Sequence, residues 1–131
     1  MNHIPFLPDR KRAYSQIGQG DFNAARESLW KALRSAATLQ AAAWLAQCLP
    51  AGALLAASQN QLERATELLS LAFHHPAAAT GWLEKFPLVV HLRDRLEEEL
   101  SAQVLAEAWE RGKALDLTET VNALIEELTP G

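Results

Sequence analysis

The stretch QGDFNAARESLWKAL, residues 19–33, decides the fold. It opens on a turn pair, Gly20-Asp21, and then sets Phe22, Ala25, Leu29, Ala32 and Leu33 at the spacing of one helical stripe. Asp21 is the type of residue that caps a helix N-terminus, because its carboxylate accepts from the free backbone N–H groups there. A second stretch, NQLERATELLSLAF (residues 60–73), repeats the rhythm with Leu62, Ala65, Leu69, Ala72 and Phe73. Helix, tight turn, helix, with a small alanine at the contact and large residues around it, is an αα-hairpin. Two such units, offset by 40 residues between Ala25 and Ala65, predict a stack of helix pairs.

Working outward, residues 1–8 hold Pro5 and Pro8 and read as an extended lead-in. A first helix is expected from Asp9, as its cap, to Ile17, before the glycines at 18 and 20. The region 38–58 is apolar nearly all round and should be the most buried, with Pro50 and Gly52 kinking or splitting it. A fourth helix is expected over 61–74, closed by His75-Pro76. The loop AAATGWLEKFP follows, and a fifth helix over 87–100 starts on Pro87, whose fixed φ suits a first turn. Ser101 caps a sixth helix that Gly112 should stop, and Asp116 or Thr118 opens the last. The expected architecture is all-α, a right-handed stack of antiparallel helix pairs with six to seven helices. One domain spans 9–128, with two degenerate hairpins over 9–76, C-terminal helices over 87–128 and a tail at 129–131.

Composition agrees with this outline. The chain has 131 residues and a hydrophobic fraction of 49%, rich in alanine and leucine, which lose little freedom in a helix. No apolar run approaches the ~20 residues of a membrane span. The basic cluster follows the apolar residues of the N-terminus, the reverse of a secretory signal. A single cysteine, Cys48, excludes an internal disulfide and fits a cytoplasmic setting. The net charge of −4 is uneven: residues 1–50 carry six Lys/Arg against three Asp/Glu, residues 51–131 six against thirteen. Arg10-Lys11-Arg12 can meet an acidic partner, but three charges beside Asp9 are a small footprint for nucleic acid.

The hairpins resemble the tetratricopeptide repeat. Gly20, Asp21, Phe22, Ala25, Leu29 and Ala32 match the second half of its motif, and Ala13 the small position of its first helix. The 40-residue offset exceeds the ~34-residue period, and Asn60 replaces the turn glycine, so the repeats are degenerate. The C-terminal run, with Ala108, Trp109, Gly112, Leu115, Leu117 and Glu119 in order, is similar to the end of bacterial multidomain signalling ATPases and transcriptional regulators. That resemblance implies a helical interaction region that serves upstream domains of a parent chain. It implies no ATPase chemistry, because the chain contains no G-x-x-x-x-G-K-[ST] phosphate loop.

Chemically suggestive residues each have a structural reading. His74 and His75 are adjacent, hence about 100° apart on a helix and badly placed to share a metal. Cys48 lies in the most apolar region, where a thiol is ordinarily a small hydrophobe. Glu97-Glu98-Glu99 reads as a solvated helix face, with Arg93–Glu97 and Arg95–Glu99 as weak pairs. Trp30, Trp44 and Trp109 fall in helices and are expected to be core or to line a groove, while Trp82 and Phe86 sit in the long loop. The candidate partner contacts are therefore Trp44, Trp82, Phe86, Arg10, Lys11 and Arg12. The packing set is Gly20, Phe22, Ala25, Leu29, Ala32, Leu62, Ala65, Leu69, Ala72, Trp109, Gly112 and Leu115. Two functions follow: a non-catalytic interaction module with no cofactor, or a groove around Pro50 that senses a small effector. A second copy of the chain is a further candidate partner, since a short solenoid exposes apolar end faces.

Overall fold

Three turns of one geometry organise the first half of the chain. At each, a residue with positive φ ends a helix: Gly20 (79°), Gln40 (52°) and Asn60 (62°). The next amide reaches back to the same helical position, Asp21 to Gln16 O (2.9 Å), Ala41 to Ala36 O (3.0 Å) and Gln61 to Ala56 O (2.9 Å). The positive-φ residue itself donates to Ile17, Ala37 and Ala57 carbonyls in turn. This is the Schellman closure, which satisfies the last carbonyls of a helix. The residue completing each closure then starts the following helix: the Asp21 carboxylate accepts from Ala24 N at 3.3 Å.

The computed structural model describes residues 6–76 and 81–130. The described chain is all-α, with seven helices and no strand among the described residues: α1 (Phe6–Gly18), α2 (Phe22–Thr38), α3 (Ala42–Ser58), α4 (Leu62–His74), α5 (Pro87–Glu99), α6 (Ala102–Lys113) and α7 (Leu117–Leu128). Residues 1–5 of the expected lead-in, Ala77–Thr80 of the long loop and Gly131 of the tail lie outside the described residues. α1 begins at Phe6, so Asp9 lies in its first turn rather than at its cap. The chain reverses at Gln40, so α3 starts at Ala42 and not near residue 38.

Short three-residue connections fold α1 on α2, α2 on α3 and α3 on α4. The equivalent positions of three successive helices, Leu29, Leu49 and Leu69, are all fully buried, as are Ala32 and Ala72 at the contact positions. α3 is the central element. It packs against α1, α2, α4, α5 and α7, and every residue from Leu45 to Ala57 is buried except Gln47 and Leu54. Pro50 does not split α3, which runs unbroken from Ala42 to Ser58. Close packing on all sides holds the proline turn in line although its missing N–H removes one ladder bond.

The C-terminal helices fold back on this stack. α7 lies over α2 and α3, and Gly52 leaves room for Leu124, whose Cδ1 would stand 3.4 Å from an added Cβ. Trp30 Nε1 donates to Thr129 Oγ1 at 3.1 Å, which fastens the end of α7 to α2. α6 crosses α4 at backbone contact, and Gly112 is the crossing point. A Cβ there would fall 2.4 Å from Glu67 O and 2.5 Å from Ser70 Cβ. Gly112 therefore does not stop α6, which continues to Lys113. Ser101 and Asp116 cap α6 and α7, accepting from Val104 N (3.2 Å) and Glu119 N (2.9 Å). Arg95 joins α5 to the end of α3, donating to Ala57 O at 2.8 Å and pairing with Glu99 on its own helix. Arg93 does not pair with Glu97; its guanidinium lies over the rings of Phe73 (5.2 Å) and Trp109 (5.8 Å), where the ring faces attract the cation.

Candidate functional site

An aromatic cluster with a basic rim forms where α1, α3 and the turn at 81–86 meet. Tyr14 stands on the inner side of α1 and donates its hydroxyl to the backbone carbonyl of Gln47 on α3 at 2.7 Å. The tyrosine ring meets Phe86 edge-on (centroids 5.2 Å, 79°) and Trp82 edge-on (6.2 Å, 87°). Trp82 and Phe86 complete the triangle at 5.5 Å. Such geometry is favourable because the positive ring edges meet negative ring faces. Leu83, two per cent exposed, anchors the short turn between them. The rings, with Gln47, Arg10 and Lys11, line a cleft of about 340 Å³.

Arg10 and Lys11 precede Tyr14 by four and three residues, so a single face of α1 brings the cations and the tyrosine together. The Arg10 guanidinium lies 5.6 Å from the Trp44 ring centroid, tying α1 to the start of α3. Lys11 is exposed and forms no salt bridge among the described residues. Arg12 turns away and pairs with Asp9 at 3.0 Å. Of the six expected contact residues, Trp82, Phe86, Arg10 and Lys11 thus share one cleft, Trp44 supports it through Arg10, and Arg12 stands apart. Tyr14 and Gln47 were not legible as site residues. The i, i+4 relation of Arg10 to Tyr14 was the signal that could have found the first.

Burial governs the ionisable groups beneath this cleft. Desolvation raises the Tyr14 phenol well above its ordinary value, reinforced by Cys48 and opposed by the Ala51 amide and Arg10. The fully buried Cys48 thiol is pushed up to about 12 by desolvation, against a smaller pull from Arg10. Both groups keep their protons near neutrality, so Cys48 is an inert core thiol and Tyr14 a fixed hydrogen-bond donor. Ser70 is also fully buried and donates to Trp109 O at 2.6 Å, while His74 Nδ1 stands 2.8 Å from Ser70 O. The serine hydroxyl joins α4 to α6, and His74 Nδ1 stands 3.4 Å from it on the same helix. Among the described residues no group of three acidic, histidine or cysteine side chains is arranged to hold a metal.

The packing set divides. Ala25, Leu29, Ala32, Ala65, Leu69 and Ala72 are fully buried, Gly20 forms the first turn, and Gly112 forms the α4–α6 crossing. Leu62, Trp109 and Leu115 are half-buried at the margin of the core. Phe22 is 39% exposed at the first position of α2 and leaves the set. Trp30, Trp44 and Trp109 are half-buried against the core, and Trp30 and Trp109 each line a groove, the second of the two expected places. The helical stripe is wider than the contact between two helices, so its edge residues meet solvent.

A second cleft, of about 440 Å³, opens between α3, α4 and α7 over Gly52, Leu55 and Leu124. Arg26 donates to Glu127 O at 3.2 Å, and Arg64 stands 3.7 Å from the Glu127 carboxylate; both arginines line it. Among the described residues no helix is long and apolar enough to cross a membrane.

Helical hairpins joined by repeated turns and bearing an aromatic cleft define an all-α fold, with seven helices among the described residues. The chain matches no protein-family model, no curated protein and no solved structure.

Proposed function

We propose that this chain is a non-catalytic protein-binding module. In this reading it is the C-terminal helical region of a cytoplasmic bacterial signalling or transcriptional regulator, and its cleft takes a segment of a partner protein or of the parent chain. The carrying observation is the meeting of Tyr14, Trp82 and Phe86 with Arg10 and Lys11 in one cleft. The clustered rings offer rigid apolar area, and the two cations select an acidic flank. The occupant is therefore an acidic segment with one apolar anchor. The protonated Cys48 and the backbone-bound Ser70 support a binding role over nucleophilic chemistry. Fluorescence anisotropy with a labelled peptide, one leucine or phenylalanine flanked by aspartates, tests it. Binding should weaken about tenfold or more in an Arg10→Glu/Lys11→Glu variant and with a peptide in which asparagines replace the aspartates. Equal binding by variant and parent, or no binding at about millimolar peptide, overturns the reading.

A second reading, effector sensing, is favoured by the arginine-lined cleft over Gly52. Trp30, bonded to Thr129 beside the end of α7, reports on it. A saturable change in its fluorescence with small organic carboxylates, lost in Arg64→Ala, supports sensing; an unchanged spectrum across such ligands removes it.

A further inference from the structure

The outer face of α6 carries Ala102, Leu105, Ala106 and Trp109 at i, i+3, i+4 and i+7, the pattern of a helix stripe that expects a partner. Their own chain supplies it only in part: the Trp109 ring meets Phe73 and His74 of α4 and lies under Arg93 of α5, while Ala102 and Ala106 stay exposed. α6 packs on α4 along the adjoining edge of this stripe, where Ala108 and Gly112 are buried, and it touches α5 sparingly. The stripe instead forms one wall of an open groove of about 360 Å³, with Leu69 of α4 and Leu96 of α5 also lining it. Ala102 and Ala106 are exposed, and Leu105 and Trp109 half-exposed. Ala102 and Ala106 leave space along one edge of the wall, and Leu105 and Trp109 stand along the other.

The charges around the groove are mostly acidic, with Arg93 also lining it. Between residues 93 and 113 the chain carries Asp94, Glu97, Glu98, Glu99, Glu107 and Glu110 against Arg93, Arg95, Arg111 and Lys113. Glu97 and Glu110 line the groove itself; Glu110 also holds Lys113 at 3.0 Å. The two cations close by are committed within the fold, Arg95 to Glu99 and the Ala57 carbonyl, Arg93 to the faces of Phe73 and Trp109. Glu97 and Glu98 form no salt bridge among the described residues.

We propose that the groove between α5 and α6 docks a basic amphipathic helix from a partner protein. The partner's apolar stripe seats against Leu105, Ala106 and Trp109, and its lysines or arginines flank Glu97 and Glu110. This surface is separate from the aromatic cleft and opposite to it in charge, so the inference does not depend on that cleft. A module with both faces holds an acidic segment at one place and a basic helix at another, as a scaffold requires.

The test uses the full chain and two synthetic helices of about 18 residues, about five turns. Both carry leucine at i, i+3, i+4 and i+7; one has lysine at the flanking positions, the other glutamate. Trp109 fluorescence and isothermal titration calorimetry follow binding. The lysine helix should bind at least about tenfold more tightly than the glutamate helix, and Glu97→Gln/Glu98→Gln should weaken it severalfold and flatten its salt dependence. Ala106→Glu is decisive. Non-specific attraction of a basic peptide to an acidic surface grows with the added carboxylate, whereas a seated helix loses affinity by about tenfold because the groove is filled by a polar group. Circular dichroism of Ala106→Glu confirms that the variant is folded, as its exposed position leads one to expect. Tighter binding to Ala106→Glu, or equal binding of the two helices, overturns the proposal. So does sedimentation showing a dimer of the chain that Ala106→Glu dissociates, since the groove's occupant is then a second copy.

Discussion

Ser70 and Trp109 hold two helices at backbone distance: the serine hydroxyl donates to the tryptophan carbonyl at 2.6 Å, with Gly112 three residues further along at the crossing. Without a side chain at 112 the two backbones meet, and the buried serine hydroxyl finds its acceptor in the Trp109 carbonyl. In an ordinary exposed helix Gly→Ala stabilises by up to ~1 kcal/mol. Here Gly112→Ala must displace the Glu67 carbonyl, a rigid backbone atom, and the expected outcome is a loss of about 2–3 kcal/mol. Urea denaturation decides the sign, and a stabilised variant would remove the close crossing.

The repeated turns make a second prediction. Gln40 adopts positive φ at a cost of roughly 1 kcal/mol that glycine does not incur. Gln40→Gly should therefore raise stability by about 0.5 kcal/mol after the added freedom of the unfolded chain is subtracted. Asn60→Gly should be nearly neutral, because asparagine tolerates this conformation and its side chain also accepts from Arg95 at 3.3 Å. Gly20→Ala, at φ 79°, should destabilise by about 1 kcal/mol. Thermal melts of the three variants order them.

Cys48 sets an alkaline limit. Its thiol ionises at about 12 in the fold against an ordinary value of 9.0. Between those values the unfolded chain releases the proton and the folded chain keeps it, so the unfolded state binds fewer protons and stability falls as pH rises. The slope is about 1.4 kcal/mol per pH unit from this group, and Tyr14, shifted in the same direction, adds to the decline above its ordinary value. Below pH 9 neither contributes. Cys48→Ala should flatten the first part of the decline in denaturation curves taken from pH 8 to 11. A variant curve parallel to the parent's would contradict the buried thiol.

Tyr14→Phe removes the hydroxyl but keeps the ring cluster. The Gln47 carbonyl loses its tyrosine donor beside Pro50, and the expected cost is about 1–2 kcal/mol. The Trp82 and Phe86 contacts remain, so the tryptophan emission maximum should hardly move. A large emission shift would show that the hydroxyl, not the rings, organises the cleft.

Much of the helical outline was legible in the residues because its causes are local. Asp21, Ser101 and Asp116 cap helices through their own side chains, Pro87 starts one through its fixed φ, and the stripe through Ala25, Leu29 and Ala32 names the buried face of α2. The turn at Gln40 was missed since no glycine marks it; only the 20-residue recurrence of Leu29, Leu49 and Leu69 could have shown it. Gly112 was misread for the converse reason. A glycine near a helix end suggests a stop, yet this one is explained by α4, a helix distant in sequence.

The candidate sites divide along the same line. From the residues alone came an all-α chain, a basic N-terminal cluster, an acidic C-terminal half and aromatic residues in a loop, since composition and spacing carry those. That Trp82 and Phe86 close on Tyr14 beside Arg10 while Arg12 turns to Asp9 was decided by the packing of α1 on α3. The part-exposed stripe on α6 became visible only once Gly112 had committed the adjoining edge of that helix to α4. A sequence pattern states which residues can share a face, but which face meets a neighbour depends on contacts between segments far apart in the chain.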